Sequence, residues 1–271
     1  MAMRSCDTQY NAVSYQKYRF SPPENLQKVI FSYLEEKKLA PMRLAVDVGC
    51  GSGQSTCILA ARFEEVVGTD ISEAQIQAAK ETASFPNVSY RVCPAEELPF
   101  EDGSVDLVTA FTAAHWFDIP RFMKEVDRVL RPHGSVALST YSPNFSMHYK
   151  DCSERLTEIL TETQGVLLKY ANEKVNRVIG DYKEVFDLLP FQDKRRVTQI
   201  IDKIPMSVAE VIGFLHSMSM YQTFLRSDPE AAKSLLQKTE ERFLETMGVG
   251  SNETQLEIGI KNVCVLGCKG P

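Results

Sequence analysis

Apolar and polar positions divide the chain into two unlike halves. From Leu44 to Tyr141, short apolar runs alternate with segments whose apolar residues recur at helical spacing. Leu44-Ala45-Val46-Asp47-Val48 is an apolar run with one acid near its end, and Gly49, Gly51 and Gly53 follow at alternate positions. Such a run bounded by glycine predicts a buried strand and a tight turn, with a helix over about 54–63. Val66 to Asp70 predicts a second strand, and Ser72 caps a helix carrying Ala74, Ile76, Ala78 and Ala79. Val88 to Val92 and Val105 to Phe111 predict the third and fourth strands. Pro120 opens a helix through Phe122, Val126, Val129 and Leu130, and Ser135 to Tyr141 predicts the fifth strand. Strands alternating with helices predict a parallel sheet covered on both faces.

The flanks read differently. Residues 1–20 are polar but carry Tyr10, Tyr15, Lys17, Tyr18, Arg19 and Phe20, a cluster suited to lying over something else. Ser21-Pro22-Pro23-Glu24 has the form of a capping box ahead of a helix over about 22–38. Residues 142–190 are mostly helical in pattern, and Arg196 to Ile204 predicts a sixth strand. Ser207 to Leu225 predicts one helix rich in Met and aromatic residues, and Asp228-Pro229 starts another that Gly248 stops. Leu256, Ile258 and Ile260 alternate with polar positions or glycine, predicting a last strand on the sheet edge. The expected fold class is therefore α/β: a Rossmann-like, doubly wound, seven-stranded, mostly parallel sheet with a helical cap. It divides into an N-terminal lid and helix (1–40), a ligand-binding core (41–141), a mainly helical cap with one strand (142–250) and an edge strand (251–271). The cap should lie over the carboxyl ends of the strands, where open α/β sheets bind ligands.

Composition narrows the function classes. The 271-residue chain, 44% hydrophobic, can bury a large core. A net charge of −6 argues against general nucleic-acid binding, which depends on neutralising phosphates. Seven scattered cysteines with no C-x-x-C pair suit a reducing compartment and provide no metal-ligand spacing. No signal peptide or apolar run of membrane-spanning length is evident, so a cytoplasmic protein without a membrane partner is expected.

The glycine loop selects among ligands. The dinucleotide fingerprint is G-x-G-x-x-G, whereas this loop is G-x-G-x-G with Gln54 in the sixth position. Asp47 sits where a pyrophosphate would be repelled, and no Lys or Arg lies between Asp47 and Thr56. The loop suits a ligand without phosphates that tolerates a positive charge near Asp47.

This stretch resembles motif I of the class I S-adenosylmethionine-dependent methyltransferases. The resemblance continues in order through Gly68-Thr69-Asp70-Ile71-Ser72, Pro94-Ala95-Glu96-Glu97-Leu98-Pro99-Phe100, Asp102-Gly103-Ser104-Val105-Asp106 and Val129-Leu130-Arg131-Pro132-His133-Gly134. The branch it is most similar to is the type-11 small-molecule group, near the trans-aconitate methyltransferases, through Tyr15-Gln16-Lys17-Tyr18-Arg19 and Ala114-His115-Trp116-Phe117. The resemblance implies S-adenosylmethionine as cofactor and a small-molecule acceptor, such as an organic acid held by Arg19, Lys17 or a cap cation. It implies that Gly49, Gly51 and Gly53 let the cofactor approach the backbone, and that Asp47 orients its amino-acid portion. Asp70, with Ile71 beside it, would accept from the ribose hydroxyls, while Ala95 and Glu96 would meet adenine. Thr112 and His115 would border the reacting methyl. His115 is either a general base or a local hydrogen-bonding group while Trp116 packs over adenine. Tyr15, Tyr18, Arg19 and Trp116 are the substrate-side candidates. Three alternatives stand beside this reading: a sulfuryl donor bearing a 3′-phosphate, a non-catalytic binding module, and an NAD-dependent oxidoreductase, which Gln54 disfavours.

Overall fold

A computed structural model describes residues 21–37, 41–82 and 84–271. Tyr15, Lys17, Tyr18 and Arg19 lie outside the described residues. Five strands form a parallel half-sheet in the order β3 (Val88–Val92), β2 (Glu65–Asp70), β1 (Leu44–Val48), β4 (Val105–Phe111) and β5 (Leu130–Tyr141). Helix α1 (Glu24–Glu36) packs Leu26, Ile30 and Leu34 on one face together with Leu59, Phe63 and Leu107. Helix α2 (Glu73–Thr82) follows β2, and α3 (Ile119–Val129) buries Phe122, Val126 and Val129 on the other face with Val46 and Val108. Every side chain of β4 from Val105 to Ala110 is buried, as a strand covered on both faces requires.

The last strand, β8 (Gln255–Cys268), runs antiparallel to β5 and is not at the edge. The long strand β7 (Asp193–Ser207) covers its outer side along its length. A short strand, β6 (Ser146–His148), continues the line of β5 along the same side of β8. Among the described residues the sheet therefore has eight strands rather than seven, in seven lateral positions. The alternation at Leu256, Ile258 and Ile260 belongs to the outer half of β8, whereas Val263, Cys264, Val265 and Leu266 are buried on both faces. The cap accordingly holds two strands, not one.

Helices α4 (Ser153–Leu168), α5 (Asn176–Ile179), α6 (Lys183–Asp187), α7 (Val208–His216), α8 (Ser219–Ser227) and α9 (Pro229–Met247) complete the cap. Leu156, Leu160, Phe214, Tyr221 and Phe243 form its core. Ser207 and Glu210 make a reciprocal capping box at α7, Asp228 caps α9 through the Ala231 N–H, and Gly248 ends α9 in the left-handed region. The expected single helix from Ser207 divides into α7 and α8 at Ser217-Met218, where Gln222 Nε2 donates to the His216 carbonyl at 2.7 Å. Ser21 does not cap α1, whose N-cap is Pro23 without a side-chain bond. The helix expected over about 54–63 contracts to one 3₁₀ turn, Thr56–Leu59. Asn87 Nδ2 instead takes the carbonyls of Ala60 and Phe63 at 2.8 and 2.9 Å, fixing that segment without a helix. Among the described residues no helix is long and apolar enough to cross a membrane.

Candidate active site

The glycine loop at the carboxyl end of β1 is held from below and from the side. Gly49 and Cys50 both donate to the Thr69 carbonyl, at 2.7 and 2.9 Å, and Gly53 donates to Cys50. Gly51 N–H donates to Asp70 Oδ2 at 3.0 Å. These four amides are spent inside the protein, so they are not a phosphate nest. The glycines themselves answer to different demands. All three have positive φ, from 54° to 85°. A Cβ on Gly49 would lie 2.6 Å from the Ala113 methyl, while one on Gly53 would lie 2.3 Å from Tyr90 Oη. Gly49 and Gly51 line the cavities above the loop. A Cβ on Gly53 would face Tyr90 instead, so packing as well as any approach of a ligand requires this glycine.

Asp47 lies beneath the loop, bonded to the residues that follow it. It is 0% exposed and lines none of the cavities described here. Its Oδ2 accepts from Ser55 Oγ and Thr56 Oγ1 at 2.9 and 2.8 Å, and its Oδ1 accepts from Thr109 Oγ1 at 2.9 Å. Burial pushes its carboxyl up to about 6, against the pull of the three hydroxyls. Asp47 braces the loop from beneath and supplies a negative field there.

Above the loop, a trough is lined by Asp70, Ile71, Ala95, Glu96, Trp116 and Phe117, among others. Asp70 accepts backbone N–H groups from Gly51 and from Ser72, the latter at 2.9 Å. Burial raises its carboxyl above the ordinary carboxylate value while those amides hold it down. Two bonds leave a carboxylate with further acceptor sites for a diol. Ile71 is 74% exposed, an unusual position for isoleucine and a ready apolar surface for a flat base. Glu96 Oε1 accepts from the Asp118 N–H at 2.8 Å. The strand–loop segment carrying Ala95 and Glu96 is anchored by two residues the sequence reading missed. Arg128 donates to the Leu98 and Phe100 carbonyls, each at 2.8 Å, and Glu125 accepts from the Leu98 N–H at 2.7 Å. Their three-residue spacing on α3 is the signal that could have found them.

Two further cavities adjoin this trough. One continues over Gly49, Gly51, Ser139 and Asn262. The other is a chamber roofed by the cap, with His115, Trp116, Phe145, Gln164 and Met218 in its wall. Thr112 lines all three, and Trp116 lines both the trough and the chamber. Thr112 holds φ at 53° while its N–H donates to the Ser139 carbonyl at 2.7 Å. A left-handed backbone is unusual for a β-branched residue and stores strain at this junction.

His115, buried at 6% exposure, follows Thr112 in a 3₁₀ turn over Ala114–Trp116. Its Nδ1 lies 3.0 Å from Tyr182 Oη, which also accepts the His115 backbone N–H at 3.3 Å. Tyr182 comes from the cap and is fully buried with φ at 54°. Two neighbours grip the same turn: Lys174 Nζ donates to the Trp116 carbonyl at 2.5 Å, and Arg177 donates to the carbonyls of His115 and Phe117. Periodicity gave no sign of this clamp, because its partners lie about 60 positions apart in the chain.

The two cofactor-side cavities carry Asp70 and Glu96 and, among the described residues, no Lys or Arg. That donor set fits a cationic nucleoside and does not favour the sulfuryl-donor and NAD alternatives, both of which bring phosphates. The comparisons agree. The type-11 methyltransferase domain model matches residues 46–138. A Dictyostelium discoideum protein named as a methyltransferase is 35% identical over 229 residues, covering 82% of each chain. A Saccharomyces cerevisiae protein named as an S-adenosylmethionine-dependent methyltransferase is 24% identical over 244 residues, covering 81% of this chain and 82% of its own. A solved structure titled as a type II methyltransferase of Anaeromyxobacter dehalogenans superposes with a TM-score of 0.72 at 28% identity, covering 94% of this chain and 99% of that one. These matches carry the family and not the narrower likeness to trans-aconitate methyltransferases. A methyltransferase sheet, a phosphate-free acidic trough at its switch point and relatives matched over most of their length converge: the chain belongs to the class I S-adenosylmethionine-dependent methyltransferases, with S-adenosylmethionine as its cofactor.

Proposed function

We propose that the chain methylates a small-molecule acceptor held in the capped chamber, with the cofactor in the adjoining trough. The observation carrying this reading is the junction at Thr112, where the two cofactor-side cavities and the chamber share one residue. S-adenosylmethionine, when bound, supplies an electrophilic methyl group and departs as a neutral thioether. Asp70 takes the ribose hydroxyls, while Ile71, Ala95, Glu96 and Trp116 surround the base. Gly49 and Gly51 admit the amino-acid portion over the loop, and Asp47 acts from beneath as a positioning residue. Thr112 and Trp116 separate donor from acceptor and set the line of attack, which is the main task in such a displacement.

An acceptor hydroxyl or amine must also lose a proton. His115 is the residue assigned to receive it. When Nδ1 donates to Tyr182 Oη, the imidazole carries its lone pair on Nε2, the tautomer a base requires. Lys174 and Arg177 hold the turn's carbonyls so that the ring stays on the chamber wall. The cap and the N-terminal segment carrying Tyr15, Tyr18 and Arg19 would exclude water. Of the cations the organic-acid expectation invoked, Arg19 and Lys17 lie outside the described residues, and no cap cation among the described residues lines the chamber.

Incubation with S-adenosylmethionine labelled in its methyl group and a fractionated cell extract tests the proposal. Label should enter low-mass compounds, and His115→Ala should slow transfer by roughly 100-fold or more while preserving S-adenosylhomocysteine binding. Label found only in protein or nucleic acid would contradict it.

A further inference from the structure

The chamber and the trough differ in chemistry. The trough carries two acids, whereas among the described residues no Asp, Glu, Lys or Arg lines the chamber. Its wall is built largely from apolar cap residues, including Phe145, Leu168, Val178, Met218 and Met220. A carboxylate moved from water into such a wall loses its hydration with no cation among the described residues in exchange. An uncharged apolar body gains from the same move, and the two methionines can follow its outline.

Among the polar groups in that wall, one on α4 has a fixed orientation. Gln164 on α4 is 9% exposed, and its Nε2 donates to the Pro143 carbonyl at 2.8 Å. The bond takes one of the amide's two N–H donors and settles which way the group faces. The oxygen remains as an acceptor on the chamber wall, and it is not among the buried atoms sealed without a partner. A bound molecule that offers no donor there leaves that oxygen facing apolar surface, which costs affinity.

We infer that the chamber takes an uncharged, largely apolar acceptor bearing a hydrogen-bond donor for Gln164 Oε1, and that it discriminates against free carboxylates. The inference rests on the methyltransferase reading above. Gln164 is a specificity residue here, not a catalytic one: it holds the acceptor's shape and polarity in register with Thr112 without taking part in bond making.

The full chain, saturated with S-adenosylhomocysteine, is titrated calorimetrically with cinnamyl alcohol, cinnamate and propenylbenzene. The alcohol should bind at least about tenfold tighter than the carboxylate. Gln164→Met, close in shape, should weaken the alcohol by about five- to tenfold and leave propenylbenzene unchanged. Its unchanged affinity for S-adenosylhomocysteine would show that the variant is folded, and the wild-type comparison stands without it. The inference is overturned if cinnamate binds as well as the alcohol, if no uncharged probe binds, or if Gln164→Met weakens alcohol and hydrocarbon equally. Failure of S-adenosylhomocysteine itself to bind would instead strike the methyltransferase reading.

Discussion

Asp47→Asn separates bracing from charge beneath the glycine loop. Asp47 is fully buried among three hydroxyl donors, and burial lifts its carboxyl from the ordinary 3.8 to about 6. Because the folded state holds the proton more tightly than the unfolded chain, this group favours folding most at low pH. That contribution is lost as pH rises from about 4 through about 6. Above that window the ionised group costs the folded state roughly 3 kcal/mol relative to water. Asparagine is nearly isosteric, keeps one acceptor oxygen and carries no charge to desolvate; one hydroxyl must turn to accept from its amide. Part of the gain is offset by that rearrangement, leaving about 1–2 kcal/mol, or roughly 2–8 °C in Tm for a domain near this size. Thermal melts of both apoproteins between about pH 5 and pH 8 should show the variant more stable at the upper end, with the gap narrowing towards the lower. Saturating S-adenosylhomocysteine should raise the wild-type Tm more than the variant's, since the ligand's ammonium is drawn to the anion. A variant less stable by the same amount at every pH would refute the reasoning, because the ionised carboxylate would then be net stabilising.

Other perturbations probe the scaffold and the clamp. A Cβ on Gly68 would lie 2.6 Å from the Tyr90 ring, so Gly68→Ala should cost about 1–3 kcal/mol in chemical denaturation. Tyr90→Leu should restore most of that loss. The same rescue should fail for Gly53→Ala, because its φ of 85° stays strained whatever the neighbour. Arg128→Ala removes the bonds to the Leu98 and Phe100 carbonyls and should weaken S-adenosylhomocysteine binding by about tenfold, or about 1.4 kcal/mol, in calorimetry. Unchanged binding would mean that the loop bearing Ala95 and Glu96 is held by other contacts. Tyr182→Phe deletes the hydroxyl beside His115 Nδ1 and should shift the pH profile of kcat while leaving cofactor affinity intact. An unmoved profile would show that Tyr182 is only a packing residue.

Local patterns carried the core. Val105–Phe111 occurs at the expected residues because a strand buried by flanking helices declares itself as an apolar run between breakers. Val88–Val92, the largely exposed outermost strand, shows instead through β-branched and aromatic residues at alternate positions. Ser72, Asp228 and Gly248 likewise act where their capping chemistry indicated. What escaped local reading depends on long-range partners. Thr109 reaches Asp47 across 62 residues and makes it an internal brace of the loop, which no local pattern indicates. Tyr90 occupies the space above Gly53 and Gly68, so those glycines serve packing as much as approach. The apolar alternation of β8 suggested an edge until β7 was found along its outer side. Lys174, Arg177 and Tyr182 carry no periodic signal, and their common target, the turn at His115 and Trp116, emerges only in the folded chain.

The central claim is that an acidic trough without phosphate ligands holds the cofactor's nucleoside through Asp70. Calorimetric titration with S-adenosylhomocysteine and with adenosine 3′,5′-bisphosphate, repeated on Asp70→Asn, tests it most directly. The account predicts binding of the first ligand, weakened about tenfold or more by the substitution, and little or no binding of the second. Tighter binding of the bisphosphate, or indifference of the first ligand to the loss of Asp70, would contradict it.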